Sequence, residues 1–330
     1  MKSVLFLDQG SSYAYDLETL GKSSLGGTEA TVVRIAEKLG ESFNIVVAQG
    51  HKVAHTSSER VQYVPFSPYL LNMPWHVVIV LRLAEVAFIV RGSNASVPIW
   101  LWIHDLIDFR FLNYVNRLRK NNIGIIAVSD FHHKQLYDLA LVDPYLPELP
   151  KNIRIYNPID DKVIPDATFV DIKKLLYASS SYKGLFDTLK TFNLLKKKQG
   201  DFELIITNPG YYLTELPHQE GVRYLGALPH EKNLQHIRES LALFQMNHVV
   251  PETFGLILAE SNAVGTPALT HPFGAAPEVL QNKDQLINTH DREAVINRIL
   301  QWRFKERPKV ELLKKFRLSE VIKEWESLLM

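Results

Sequence analysis

Two glutamates eight positions apart, Glu252 and Glu260, stand in the segment PETFGLILAESNAVGTPALT (251–270), where this chain concentrates groups able to do chemistry. The apolar pattern predicts a helix that starts near Phe254 and breaks at Gly265, with a strand resuming after Pro267. Eight helical residues would separate the two carboxylates by about 12 Å. That is too far to work on one bond, but it suits the two ends of an elongated polyhydroxyl ligand, because carboxylates accept strongly from vicinal hydroxyls. The amides of Phe254, Gly255 and Leu256 would lie at the helix N-terminus, where the dipole favours a phosphate, and Gly255 would admit close backbone approach. A ligand made of a sugar, a diphosphate and a ribose fits this spacing. The plainer alternative is a surface glutamate capping a helix, with a second exposed glutamate further along.

Other familiar devices are missing. The chain has no G-x-G-x-x-G after its first strand, no Walker A sequence, no G-x-S-x-G elbow and no D-x-D pair. His51 and His55 are spaced as a helical metal pair would be, but no H-E-x-x-H accompanies them. His132 and His133 follow a strand end and read as solvated histidines at a helix start. The chain contains no cysteine, which excludes disulfides, thiolate metal sites and cysteine nucleophiles together. Lys plus Arg number 37 against 36 Asp plus Glu, so the net charge of +1 argues against a nucleic-acid binder that relies on a globally basic surface.

The elements that must hold these groups follow from length and periodicity. At 330 residues, two domains are expected. The short apolar runs VLFL (4–7), NIVVAQ (44–49), IWLWIH (99–104) and IGIIAVS (123–129) alternate with helical patterns such as TEATVVRIAEKLG (28–40). A second series comprises KKLLYAS (173–179), FELIIT (202–207), VRYLG (222–226), SLALFQM (240–246) and TPALTH (266–271), separated by helices such as GLFDTLKTFNLLKKK (184–198) and LPHEKNLQHIRES (228–240). Such alternation implies α/β architecture: two doubly wound, Rossmann-like domains with parallel sheets, binding ligands beyond the carboxyl ends of their strands. The aperiodic stretch 157–168 marks the boundary, VDPYLPELPK (142–151) reads as a surface excursion, and WHVVIVLRLAEVAFIV (75–90) reads as a core element, too charged to span a membrane. The N-terminal apolar run is too short for a signal-peptide core.

The paired-glutamate segment resembles the hallmark of retaining family 4 glycosyltransferases (glycosyl transferases group 1) of the GT-B fold, a pattern like P-E-x-F-G-x-x-x-x-E-A-x-A-x-G-x-P. Pro251, Glu252, Phe254, Gly255, Glu260, Ala263, Gly265 and Pro267 match it, and Ser261 departs mildly. In the same order as in that family stand GGTE (26–29), LWIHD (101–105), IAVSDF (126–131), IYNPID (155–160), YKG (182–184), FGAAPEVL (273–280) and the closing FRLSEVIKEWESLL (316–329). The resemblance implies an N-terminal acceptor domain (1–157), a linker (158–170), a donor domain (171–315) and a terminal helix (316–330) returning towards the first domain. It further implies that Gly26, Gly27, Lys183, Phe254, Gly255, Leu256 and Glu260 bind the donor and that His104 and Glu252 serve the reacting sugar. No metal and no cofactor are implied beyond the donor itself. The expected partners are a nucleoside diphosphate sugar, UDP- or GDP-linked, and a saccharide or lipid-linked acceptor. The setting implied is the cytoplasm, with peripheral membrane contact if the acceptor is lipid-linked, although the apolar loop 67–75 reads first as packing. One departure stands out: the family's G-R-x-x-x-x-K-G places an arginine where this chain has Ala178, with Arg223, Lys173 and Lys174 as substitutes to consider. Two alternatives to transfer remain, a GT-B sugar-nucleotide epimerase and a catalytically silent sugar-nucleotide-binding protein.

Overall fold

A computed structural model describes residues 1–142, 148–208 and 218–330. The centre of the proline-rich stretch read as a surface excursion, 143–147, lies outside the described residues. The described residues divide into two compact units, one of Met1–Thr19, Gly27–Pro158 and Leu318–Met330, the other of Leu20–Gly26 and Ile159–Arg317.

The first unit is built on β1 (Ser3–Asp8), β2 (Asn44–Gln49), β3 (Thr56–Ser57), β4 (Val61–Pro65), β5 (Val77–Leu81), β6 (Ile99–Trp102), β7 (Ile123–Ala127) and β8 (Asn152–Arg154). Their order across the sheet is β3-β4-β2-β1-β5-β6-β7-β8, parallel throughout except for the short β3 against β4. Its chain segments carry the first three residues of α1 (Leu17–Lys22) and all of α2 (Gly27–Leu39), α3 (Ala84–Ser93), α4 (Leu112–Lys120) and α5 (Asp130–Val142). Every residue of β5, β6 and β7 is buried, as expected of parallel strands covered on both faces. Gly124 sits opposite Trp100 in the β6–β7 register, and a Cβ there would come within 2.3 Å of the indole. Glycine in mid-strand is thus the space into which Trp100 packs.

The stretch 75–90 is not one core element. It is β5 followed by α3, broken at Arg82, whose φ of 58° lies in the left-handed region. The charges that argued against a membrane span mark the turn and the helix start.

The second unit holds β9 (Asp171–Ala178), β10 (Glu203–Asn208), β11 (Val222–Ala227), β12 (Ser240–Gln245) and β13 (Ala268–Thr270), all parallel, in the order β11-β10-β9-β12-β13. Its helices are α6 (Leu185–Lys198), α7 (His230–Glu239), α8 (Leu256–Ala263), α9 (Ala276–Val279) and α10 (Arg292–Phe304). The last helix, α11 (Leu318–Leu329), belongs to the first unit, where it packs on α2 and inserts a fully buried Trp325 between Phe6 and Trp102. Each sheet reverses its strand order once, between β1 and β5 in the first and between β9 and β12 in the second. These are the points where doubly wound sheets leave room for ligands at their carboxyl ends. Among the described residues no helix is long and apolar enough to cross a membrane.

Candidate functional site

At the order reversal of the second sheet, the turns after β9 and β12 are locked together by backbone. Gly184 (φ 82°) would place a Cβ 2.5 Å from the Met246 carbonyl oxygen, so only glycine lets the β9–α6 turn lie on the end of β12. The Tyr177 hydroxyl donates to the carbonyls of Ser180 (2.6 Å) and Lys183 (3.1 Å), fixing the shape of that turn. After β12, the Asn247 side chain donates to Val250 O (2.7 Å) and accepts from Val250 N (3.2 Å). Glu252 follows, with its carbonyl accepting from Ala275 N at 2.9 Å and Gly274 packed against its backbone. The result brings together two predicted residues 69 positions apart: Lys183 Nζ donates to Glu252 Oε2 at 2.8 Å.

The helix that carries Glu260 starts later than its apolar pattern suggests. Gly255, at φ 86°, is the N-cap of α8, and its carbonyl accepts from Leu258 and Ala259. Phe254 therefore precedes the helix, and its side chain, 1 % exposed, packs edge-on against Phe316 at 5.2 Å. Only the residues from Leu256 onward contribute helical rise between Glu252 and Glu260, so a uniform helix does not set their separation. Glu260 is 7 % exposed, which removes the reading of it as a surface residue. Its Oε1 lies 2.7 Å from Nε2 of His230, the first residue of α7. Sequence reasoning missed His230, because no motif surrounds it and only the fold brings α7 against α8.

Ala178 ends β9 beside this group, and the proposed replacement cations do not gather there. Lys173 reaches Asp201 (3.4 Å), and Lys174 is bound to Glu239 (2.5 Å) and His236 (2.9 Å), both in the amino-terminal half of the strand. Arg223 lies level with Leu176 in register and, like Lys174, acts on His236. Side chains of the group thus set one lysine against two carboxylates, with His230 beside the second.

In the first unit, α2 begins at Gly27 and buries Glu29 in its first turn, where Arg82 donates to it at 3.0 Å. Gly26 is counted with the second unit. His104 follows β6, 8 % exposed, with its ring 4.6 Å from that of Trp102. Burial, the Arg82 guanidinium and His132 together hold its imidazole well below the ordinary histidine range, so it is neutral at pH 7. His132 is not solvated as its position suggested: it is fully buried and pushed down to about 4, chiefly by that burial. Its Nδ1 accepts from Val128 N (3.3 Å), which leaves Nε2–H to donate to Asp105 O (2.9 Å). His133 turns instead to the Asn152 side chain at 2.6 Å. His51 and His55 are exposed and not helical, so their spacing does not pair them. Among the described residues, no group of three or more His, Asp or Glu is placed to hold a metal ion.

Two sheets of almost wholly parallel strands, each with candidate residues at the carboxyl ends, are shared with solved structures of the GT-B fold, and the chain has that fold. Residues 174–317, nearly the whole second unit, match the family described as Glycosyl transferases group 1. No curated protein matches the sequence. Among solved structures, the chain is similar to a sucrose-phosphate synthase from Thermosynechococcus elongatus, at 12 % identity over 99 % of this chain and 98 % of that one, with a TM-score of 0.73. It is also similar to the pneumococcal O-GlcNAc transferase GtfA in complex with UDP and GlcNAc (11 %, 99 % and 98 %, TM-score 0.68). A third similar structure is WaaG, a glycosyltransferase involved in lipopolysaccharide biosynthesis (10 %, 99 % of each chain, TM-score 0.64). These likenesses establish the fold, and the family match places the second unit.

Proposed function

We propose that the chain is a retaining glycosyltransferase that moves a hexose-type sugar from a UDP- or GDP-sugar to a hydroxyl of a glycan, glycolipid or other acceptor, without a metal ion. The observation that carries this reading is the pairing in the second unit: Glu252 with Lys183 at the strand-order reversal of its sheet, and Glu260 of α8 with His230 at the start of α7. In this reading Glu260 accepts from the ribose hydroxyls and Glu252 from a hydroxyl of the transferred sugar. The Lys183 ammonium has three donors, so it can hold Glu252 and a phosphate oxygen together. The N-terminal amides of α8, opened by Gly255, add fixed positive potential, and Phe254 anchors the turn from the core.

The bond from the anomeric carbon to the leaving phosphate oxygen breaks as the acceptor oxygen bonds to that carbon on the same face. The acceptor proton passes to the departing phosphate. Charge grows on the leaving group, where preorganised donors act most strongly. In the first unit His104, kept neutral, can offer a hydrogen bond rather than a charge. The test is transfer from UDP- and GDP-sugars to a mixed acceptor pool in the presence of EDTA. Turnover is expected to persist there and to vanish in Glu252→Gln, and loss of turnover with EDTA alone would sink the metal-free reading. One observation favours a second reading, binding without transfer: Ala178 stands in place of an arginine, and among the described residues the candidate cations Lys173 and Lys174 are engaged elsewhere. Tight nucleotide binding with no turnover on any acceptor would select it.

A further inference from the structure

His230 and Glu260 face each other from two helices whose positions are independently fixed. At its amino end α7 is tied to the sheet by Thr207 Oγ1, 2.9 Å from Asn233 Oδ1. At its carboxyl end the Ile237 carbonyl accepts from Thr266 Oγ1 at 3.0 Å, and Leu234 and Ile237 are buried. The other helix, α8, is held by Ser261 Oγ donating to Thr266 O (2.7 Å) and by paired amide bonds between Asn262 and Gln285 (2.7 and 3.0 Å). Thr266 therefore serves both helices. The 2.7 Å contact between His230 and Glu260 is a consequence of this frame and not of two loose side chains meeting.

A glutamate has three side-chain torsions, and leaving them free before a ligand arrives would cost affinity on binding. A donor fixed on a neighbouring helix removes that freedom by holding one carboxylate oxygen. His230 follows β11 by three residues and Glu260 lies one turn into α8, so the pair sits where α7 and α8 begin, at the carboxyl end of the sheet. A tie meant only to join two helices has no need of a buried carboxylate there, since α7 and α8 already share Thr266.

We infer that His230 is a positioning residue: it holds the Glu260 carboxylate in the one orientation that recognises a ribose diol, and so sets the preference for a ribonucleoside over a 2′-deoxyribonucleoside diphosphate. This rests on the function proposed above, in which Glu260 meets the ribose. Without the imidazole, the Glu260 carboxylate loses the contact that sets its orientation and the 2′-hydroxyl loses a preset acceptor, while contacts made to the diphosphate by Lys183 stay in place.

The test is calorimetric titration of the full chain with UDP, GDP and their 2′-deoxy counterparts. The intact protein is expected to bind the ribo form about tenfold more tightly than the deoxy form, as loss of one good hydrogen bond implies. His230→Leu should bring that ratio to within about twofold of unity by weakening the ribo form alone, whereas His230→Gln, which returns an N–H at similar reach, should restore most of it. Should the leucine variant fail to fold by tryptophan fluorescence, His230→Asn, too short to reach Glu260, carries the same expectation. An unchanged ratio in a folded variant lacking the donor overturns the positioning role while leaving the proposed function intact. Binding of neither nucleotide by the intact protein overturns the proposed function and this inference with it.

Discussion

Under the proposed function Lys183 would face two opposite demands, the Glu252 carboxylate 2.8 Å away and the donor diphosphate. The pair is only partly exposed, 22 % and 14 % by side chain, so solvent screens it incompletely. Lys183→Ala would leave Glu252 without its cation and remove a charge-assisted bond to phosphate, a loss of about 1.5–3 kcal/mol in nucleotide affinity. Calorimetry with UDP checks this, and an unchanged Kd would remove Lys183 from the phosphate site. The converse substitution is as informative. Ala178→Arg adds a cation at the end of β9, and tightening of UDP by about tenfold or more is expected from one further charge-assisted bond. At the same scale, His132 gives the first unit an acid weakness. Its ordinary value of 6.5 falls to about 4 on folding, so the unfolded chain takes up a proton that the folded chain refuses. No penalty applies above about pH 6.5; it grows as pH falls and levels off below about pH 4, at about 3 kcal/mol for a shift of this size. His104, shifted the same way, adds to it. Urea midpoints at pH 7 and pH 5, followed by tryptophan fluorescence, should therefore differ less in His132→Gln than in the parent.

Among the elements, the turns after β9 and β12 concentrate the conformations that only glycine adopts without strain. Gly184→Ala meets both a left-handed φ and the Met246 carbonyl, and should destabilise the second unit by at least about 1–3 kcal/mol. Nucleotide affinity should fall with it, because Lys183 adjoins the displaced turn; a thermal-unfolding scan with and without UDP reads both effects. These elements also show what a sequence discloses. NIVVAQ is β2 residue for residue, and the GLFDTLKTFNLLKKK pattern ends where α6 ends, since burial on one side imposes a periodicity that can be read. The apolar pattern of α8 runs back to near Phe254 because an apolar side chain looks the same in a helix and in the turn before it. Only the φ of Gly255 moves the boundary to Leu256. His132 reads as solvated for a related reason: the stretch SDFHHK around it is mostly polar, and its partner Asp105 lies 27 positions away. His230 and Arg82 were silent in the sequence because their partners, Glu260 and Glu29, lie 30 and 53 positions away.

Across the whole molecule, the second unit's main segment begins and ends at one place. Ile159 and Arg317 pair as a parallel bridge, Ile159 N donates to Phe316 O at 2.8 Å, and the Arg317 guanidinium donates to Val163 O at 2.7 Å. The first unit is instead assembled from the two extremes of the chain. Trp325 closes against Phe6 and Trp102, His76 approaches Leu329 O at 2.9 Å, and Arg154 reaches Glu324 at 2.9 Å. Replacing Trp325 by alanine should cost the first unit about 3–5 kcal/mol. A chain ending at residue 317 should lose the first unit's cooperative transition in a urea titration and keep the second's; retention of both would show that α11 is dispensable.

The nested layout also bears on synthesis. A ribosome delivers residue 6 long before residue 325, so the hydrophobic seat of Trp325 stays uncovered while everything between them is made. The middle of the chain, whose ends meet at Ile159 and Arg317, can close as soon as it emerges. Maturation would thus run out of sequence order, with the unit begun first finished last.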